Sequence, residues 1–511
     1  MACKLLDEQL SEQPHFSTIV PLAYTEVIKE NPDVPAIIQQ ALGFKLAMER
    51  LPVLIRPDET IVGTFDVNVP VVIPRPEATG LRIMKELDFL HRRSVNPIHI
   101  SDEDKKIMRE IIYPFWKDRG IETYARNVAP KETFDIFYKG GAYIPTEAGG
   151  IAHAVIDYPR LLKMGLRKYI TLAEKKLQEN EERVGRHPKR SSKIAFYRAM
   201  KLILKALMDH ARRYAKEARK MASREEEPLR QEELQAIRNA CENLTHQAPN
   251  NLQEAIQLIW FLHMALHVEN FEHGISFGRL DQHLLPYYRD EEEKALKLIQ
   301  GLLRKTNEIV ALYDSAATEF FGGIATTQGV VVGGVNEKGE DATNDLSYLI
   351  LEALRGNCLP SPNIVVRFNK HSPKKLYHFV SDFLASGLNI IGVMNDETVI
   401  QALEGCGIST KEARNFGVVG CVGLSTSGIS FDNTGAVFLN LAKPLEIALG
   451  TDKRRLKKFL SHNGDLDSHA TMKDVMDSFK EILFELVEMA AVAANAYQEA
   501  HKALKPTPVM S

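Results

Sequence analysis

One segment has residue types that point most directly to chemistry: Gly417-Val418-Val419-Gly420-Cys421-Val422-Gly423-Leu424-Ser425-Thr426-Ser427-Gly428. An apolar run ends there in glycines and a cysteine, with no room for a regular helix directly after it. Glycine allows a tight turn or a close backbone approach. The pattern therefore predicts a strand that turns at its tip and can hold one thiol inside an enclosed cavity. On spacing alone, Cys421 reads more readily as a buried structural cysteine, which packs like a small hydrophobe. A thiolate nucleophile needs a nearby cation or helix N-terminus, and the sequence identifies neither. Ser425 and Ser427 do not suggest a hydrolase, because GxSxG is absent and no Cys–His pair stands out along the chain.

Other polar groupings read as framework or as pocket wall. Residues 267–281, HVENFEHGISFGRLD, carry His267, Glu269, Glu272, His273 and Asp281. The spacing His-x5-His is not the i, i+4 spacing of a helical zinc site. No metal is expected, and the segment reads as a polar wall that breaks at Gly274. His153, in GGIAHAVIDYP, follows two glycines and precedes a helix start at Pro159; taken alone, it could equally be a core histidine. GGVNEKGEDAT (333–343) fits neither GxxxxGK[ST] nor GxGxxG and reads as a turn that caps a helix from about Asn344.

The elements that must position these residues change character along the chain. From Tyr158 to about Leu244 the pattern is helical, with Leu161, Leu162, Leu166 and Ile170 at helical spacing. The Lys/Arg-rich run 189–227 reads as the solvated face of a helix pair, since acids and alanines interrupt it. Residues 251–268 are apolar nearly all round, which predicts a buried helix. Beyond them, beta-type segments (329–335, 363–368, 388–395, 415–421) alternate with helices such as 344–355 and 373–387. That alternation predicts an α/β core with buried strands. A last helix spans about Thr471 to Leu504. With 44% hydrophobic and 26% charged residues among 511, the chain is globular rather than disordered. The net charge of −3 argues against nucleic acid or an anionic membrane as partner. Five cysteines without CxxC spacing suit a reducing cytoplasm. The N-terminus has no signal-peptide core and no run approaches the ~20 apolar residues of a membrane span, so a soluble cytoplasmic protein is expected.

Taken together, an ordered set of segments resembles the glycyl radical enzymes, the family of pyruvate formate-lyase and of the glycerol and choline lyases. The set includes RPDETIVGT (56–64), ISDEDKKIMREIIYPFWKDR (100–119), NLQEAIQLIWFLH (251–263), GISFGRLDQHLLPYY (274–288), GGVNEKGEDATNDLSYLILEAL (333–354), MNDETVI (394–400), VVGCVG and FLNLAKPLEIAL (438–449). The resemblance implies half of a ten-stranded α/β barrel with extensive helical additions. The barrel-forming part would lie at about 251–511, after a mainly helical part at about 1–250. It implies that Cys421 becomes a thiyl radical and abstracts hydrogen from a small organic substrate. Such a site is enclosed so that the substrate radical is kept from water and oxygen. His153 and His273 fall where related dehydratases place substrate-contacting histidines.

Departures from the family pattern refine the expectation. Gly420 precedes Cys421 where pyruvate formate-lyase has a second cysteine, which argues against acetyl transfer from pyruvate. Gly423 stands where dehydratases and several decarboxylases carry a glutamate for acid/base work, and Gly435 falls where dehydratases carry an aspartate. No backbone group replaces a carboxylate as proton acceptor. Diol dehydration by the usual route is weakened, and the pocket beside Gly423 should be larger and less acidic. An RVxGY-like glycyl radical motif occurs nowhere in the 511 residues. The expectation is therefore a cysteine-bearing portion without a stably bound cofactor. Its glycyl radical would be supplied in trans by a partner chain and installed by a radical S-adenosylmethionine, iron–sulfur activating enzyme. The resemblance also implies a homodimer. Half a barrel would leave strand edges and apolar surface to be covered. The rival reading is a catalytically silent binding or assembly subunit.

Overall fold

The structure is a computed structural model. It describes residues 13–78, 80–145, 153–182, 189–270, 274–323, 327–355, 360–387, 391–430, 436–452, 460–461 and 471–509. Five parallel strands form its centre. Strand β1 (His153–Val155) pairs with β2 (Gly274–Ser276), and a parallel bridge from Gly278 to Val330 carries the array on to β3 (Val330–Gly333). Next come β4 (Ile364–Phe368) and β5 (Ile391–Asn395), in the register Val330↔Ile364↔Ile391. The runs VVVG and IVVRF are apolar on both faces because parallel strands joined by helical crossovers are covered on both sides. Every residue of β1 to β4 is accordingly buried.

Two expectations are corrected here. The array takes β1 from the part read as mainly helical, because HAV is too short for its strand character to show as periodicity. The strand at 391–395 is not buried: β5 is the last in the row, with nothing paired on its outer side among the described residues, and Val393 is 53% exposed.

A cysteine-bearing hairpin lies against this array. Strand β6 (Phe416–Val419) is wholly buried and pairs antiparallel with β7 (Gly423–Thr426). Gly417 lets it approach β1, since a Cβ there would stand 3.0 Å from Val155 Cγ2. The amide of Gly428 donates to the Val155 carbonyl at 2.8 Å.

Helices pack around the strands. Helix α1 (Tyr158–Glu181) starts where the proline predicts but breaks at Gly165, whose φ is +68°. A Cβ at Gly165 would come within 2.9 Å of the Ala248 backbone, so glycine permits the close crossing. Helix α2 (Leu252–Glu269) is buried all round, as its sequence predicts. The Asn251 side chain caps it by accepting from the Glu254 amide at 3.0 Å. Burial forces its polar side chains to find partners: Gln257 bonds both the N–H and the C=O of Val62, at 2.9 and 2.7 Å. Helix α3 (Asp345–Arg355) connects β3 to β4, and helix α4 (Lys374–Ala385) connects β4 to β5. The glycine-rich 333–343 segment forms the expected turn, ending where Asn344 Oδ1 accepts from the Leu346 amide. Helix α5 (Met472–Leu504) begins in a capping box between Thr471 and Asp474. It buries Ile482, Leu486 and Ala493 while leaving Met472, Phe484 and Val487 exposed. Among the described residues, no helix is long and apolar enough to cross a membrane.

Candidate active site

The register Val419↔Gly423 leaves Gly420, Cys421 and Val422 as a three-residue tip. Gly420 has a φ of +55°, and a Cβ on it would sit 2.8 Å from both Cδ2 and Nε2 of His153. Backbone conformation and space thus both demand glycine before the cysteine. The Asn363 side-chain amide donates to the Gly420 carbonyl at 3.0 Å. Thr327 Oγ1 lies 3.9 Å from the place a Gly420 Cβ would take. Tyr313 is close enough to feel the sulfur: burial, reinforced by Cys421, pushes its phenol well above the ordinary value. Tyr313 also opens a row of rings, with Phe321 at 5.3 Å, then Phe320, then Phe438.

Among the described residues the thiol is not enclosed. Cys421 is exposed and Val422 is 70% exposed.

Buried charge holds the base of the hairpin. Arg367 on β4 is fully buried and binds Asp396 through two hydrogen bonds, at 2.7 and 2.8 Å. Its remaining donors reach the carbonyls of Phe416 at 2.9 Å and Arg414 at 3.0 Å, and its guanidinium lies 3.7 Å from the Phe416 ring centroid. Arg279 donates to the Gly333 and Arg414 carbonyls. Burial and the neighbouring Arg367 charge lower its pKa to about 9, against the pull of Asp281 and Asp396. Asp281 accepts from the Gly333 amide at 2.8 Å and from Ser347 Oγ at 2.6 Å. Two arginines and two aspartates thereby balance one another in the interior, as buried charges require.

Deeper in the core runs a chain of neutral polar groups. Gln328 Nε2 donates to the Thr306 carbonyl at 2.6 Å, so its Oε1 is the acceptor facing His263 Nε2 at 2.7 Å. His263 then carries its proton on Nε2 and accepts from the Tyr158 hydroxyl at Nδ1, 3.1 Å away. Burial lowers the His263 pKa to about 3, keeping the ring neutral. The neighbouring Gly329 could not be a larger residue, because a Cβ would stand 2.6 Å from the Val418 carbonyl.

The structure thus brings His153 to the cysteine tip and sets Gly423 at its far end, facing Val419 across the hairpin. His273 and Gly435 lie outside the described residues. His267 and Asp281 belong to the framework. The tip's described neighbours named above are His153, Thr327, Tyr313 and Asn363, and none of them is a carboxylate. Ser425 bonds Ser430 and Ser427 bonds the Asn415 carbonyl, so both hydroxyls serve the hairpin itself. Sequence reasoning misses Asn363, Tyr313 and Thr327. The one available signal is a polar residue directly after Ser361-Pro362 and directly before a strand of valines.

A family model described as pyruvate formate lyase-like matches residues 4–511. The chain belongs to that family. It is similar to glycyl radical enzymes of known structure. One from Archaeoglobus fulgidus has a TM-score of 0.92 at 32% identity, covering 100% of this chain and 66% of its own. The glycerol-bound, B12-independent glycerol dehydratase of Clostridium butyricum has a TM-score of 0.94 at 28% identity, covering 99% and 65%. These likenesses show the barrel type to which the five-stranded array belongs. Among curated pyruvate formate lyase-like relatives, the (2S)-3-sulfopropanediol dehydratase of Klebsiella oxytoca is 27% identical over 95% of this chain and 60% of its own length. The probable dehydratase YbiW of Escherichia coli is 28% identical over 89% and 58%. The chain thus spans about three-fifths of the length of these curated relatives.

Proposed function

We propose that this chain is the cysteine-loop portion of a glycyl radical lyase. Cys421 forms a thiyl radical and takes a hydrogen atom from a small organic substrate. An S–H bond forms as a C–H bond breaks, and the substrate radical then loses a group by C–C or C–heteroatom cleavage. The observation that carries this reading is the tip itself: a single cysteine presented on a three-residue turn and flanked by His153 and Asn363. The thiyl radical requires a glycyl radical from residues outside these 511, in the same or a partner polypeptide, installed by an activating enzyme that uses S-adenosylmethionine and an iron–sulfur cluster. Exposed apolar side chains such as Val393 on the edge strand and Val422 beside the thiol support such a covering half. A homodimer completes the proposed assembly.

The reaction is neither acetyl transfer from pyruvate nor the usual diol dehydration. Gly423 supplies no carboxylate beside the thiol, and the row of rings beginning at Tyr313 favours a larger or more apolar substrate. The test is anaerobic electron paramagnetic resonance on the chain mixed with an activating enzyme and a polypeptide bearing the glycyl radical motif. A glycyl doublet seen only with that polypeptide, and turnover abolished in Cys421→Ala, are the expected results. A folded assembly that gives no radical under any pairing overturns the proposal in favour of a silent assembly subunit.

A further inference from the structure

Strand β4 meets strand β6 at two points with matched spacing. Arg367 donates to the carbonyl of Phe416 at 2.9 Å, and Asn363, immediately before β4, donates to the carbonyl of Gly420 at 3.0 Å. Both donors are four residues apart, and so are both acceptors. Four residues of extended chain rise about 13 Å on either strand, and an even interval keeps both side chains on one face. Asn363 is itself held in the extended ladder, since its carbonyl accepts from the Val330 amide at 2.9 Å. Just upstream, Ser361 exchanges hydrogen bonds with the Asn307 side chain at 3.1 and 2.6 Å.

The two anchors differ in kind. Arg367 is tied to Asp396 and two carbonyls, so it fixes the base of the hairpin as part of the core. Asn363 makes one side-chain bond, and its Oδ1 is buried without a partner among the described residues. A buried acceptor without a donor is costly, and a leucine of similar size would avoid that cost. The orientation of the amide is also unambiguous, because a carbonyl only accepts. What the asparagine contributes is therefore its N–H, directed at the peptide that precedes Cys421.

We infer that Asn363 is a positioning residue that sets the placement of Cys421, working with Arg367 as a two-point clamp on the hairpin. The inference rests on the reading of Cys421 as the reacting residue. Arg367 sets where β6 lies, and Asn363 stops the tip from swinging out toward its exposed side. The clamp acts on the backbone, so it governs the distance from sulfur to substrate and leaves substrate binding to other groups.

The test replaces the donor with an isosteric acceptor, Asn363→Asp, and removes it in Asn363→Ala should the aspartate variant fail to fold. Alkylation of Cys421 by iodoacetamide is followed on its own peptide by mass spectrometry, with the exposed Cys406 as internal reference. Losing one ordinary hydrogen bond should speed Cys421 alkylation by about threefold to tenfold, with the Cys406 rate unchanged and only the small fall in thermal midpoint that one lost bond brings. In the activated assembly the same variant should lower kcat by about tenfold or more and keep KM within about twofold, as loss of alignment without loss of binding requires. A folded variant whose Cys421 rate stays within about 1.5-fold of wild type, below the roughly twofold-or-more scale of a lost bond, overturns the clamp. So does a fall in kcat/KM carried by KM. Alkylation needs no radical, so an altered rate in an assembly that never forms one would sink the radical reading and leave the clamp standing.

Discussion

Substituting Gly420 by alanine separates two ways in which the site can yield. If the tip holds its place, the added methyl carries a φ of +55° and lies 2.8 Å from two atoms of the His153 ring. The left-handed conformation costs about 1–2 kcal/mol. Overpacking against a ring that is only 7% exposed costs about 1–3 kcal/mol more. If the tip swings outward instead, it gives up the bond from Asn363, worth about 0.5–1.5 kcal/mol. Because Cys421 and Val422 are exposed, the outward route is open and less costly. Gly420→Ala should therefore lose only about 0.5–1.5 kcal/mol of stability in urea unfolding. The sulfur, however, moves by up to about an ångström, and a misplacement of that size costs on the order of 100-fold in turnover. The assay pairs urea unfolding with turnover in the activated assembly, normalised to the glycyl radical signal. Turnover within about threefold of wild type at equal radical content, on a scale where about 100-fold is expected, would refute the argument. A stability loss above about 4 kcal/mol would also refute it, since it would mean that the core was strained and the tip had not moved.

Three further outcomes follow from the framework. Asp396→Ala leaves the Arg367 charge buried and unpaired and should cost about 3–5 kcal/mol in chemical unfolding, with part recovered when Arg367→Met is added. Gln257→Leu strands both polar groups of Val62 inside α2's packing, which should cost about 2–4 kcal/mol against a near-neutral change at an exposed glutamine such as Gln178. Burial holds His210, His263 and His283 at about 3, below the ordinary histidine value of 6.5. The unfolded chain takes up their protons first, so stability is full above about pH 6.5 and falls as pH drops toward 3, by up to about 1.4 kcal/mol per unit for each ring. Urea midpoints that stay flat between about pH 5 and 7.5, where the unfolded rings titrate, would show that these rings are not held neutral.

Much of the framework is legible in the sequence because it rests on local pattern. Residues 251–268 announce a helix without a wet face, and VVVG and IVVRF announce strands covered on both sides. Thr471 and Asp474 mark a helix start by their spacing. The turn at Gly420-Cys421 is legible for the same reason, as two glycines bracket it. The remainder depends on partners far apart in sequence. Nothing local in GGIAHAVIDYP says that the His153 ring will rest on Gly420, and no periodicity reveals that Asn363 points at that carbonyl. The family resemblance supplies His153 as a candidate and cannot supply Asn363. The exposure of β5 escapes sequence reading because an edge strand and an inner strand have the same apolar sequence, and only the sheet order tells them apart.

The distance along the chain between the tip's partners has a kinetic consequence. Gly420 touches His153 across about half the length of the chain, and Asn363 across 57 residues. Contacts that close such long loops form late, after local helices and neighbouring strands have formed. All five strands of the wall precede the hairpin, so during synthesis the wall can assemble before Cys421 leaves the ribosome. The thiol therefore acquires these neighbours only once the wall of strands is in place.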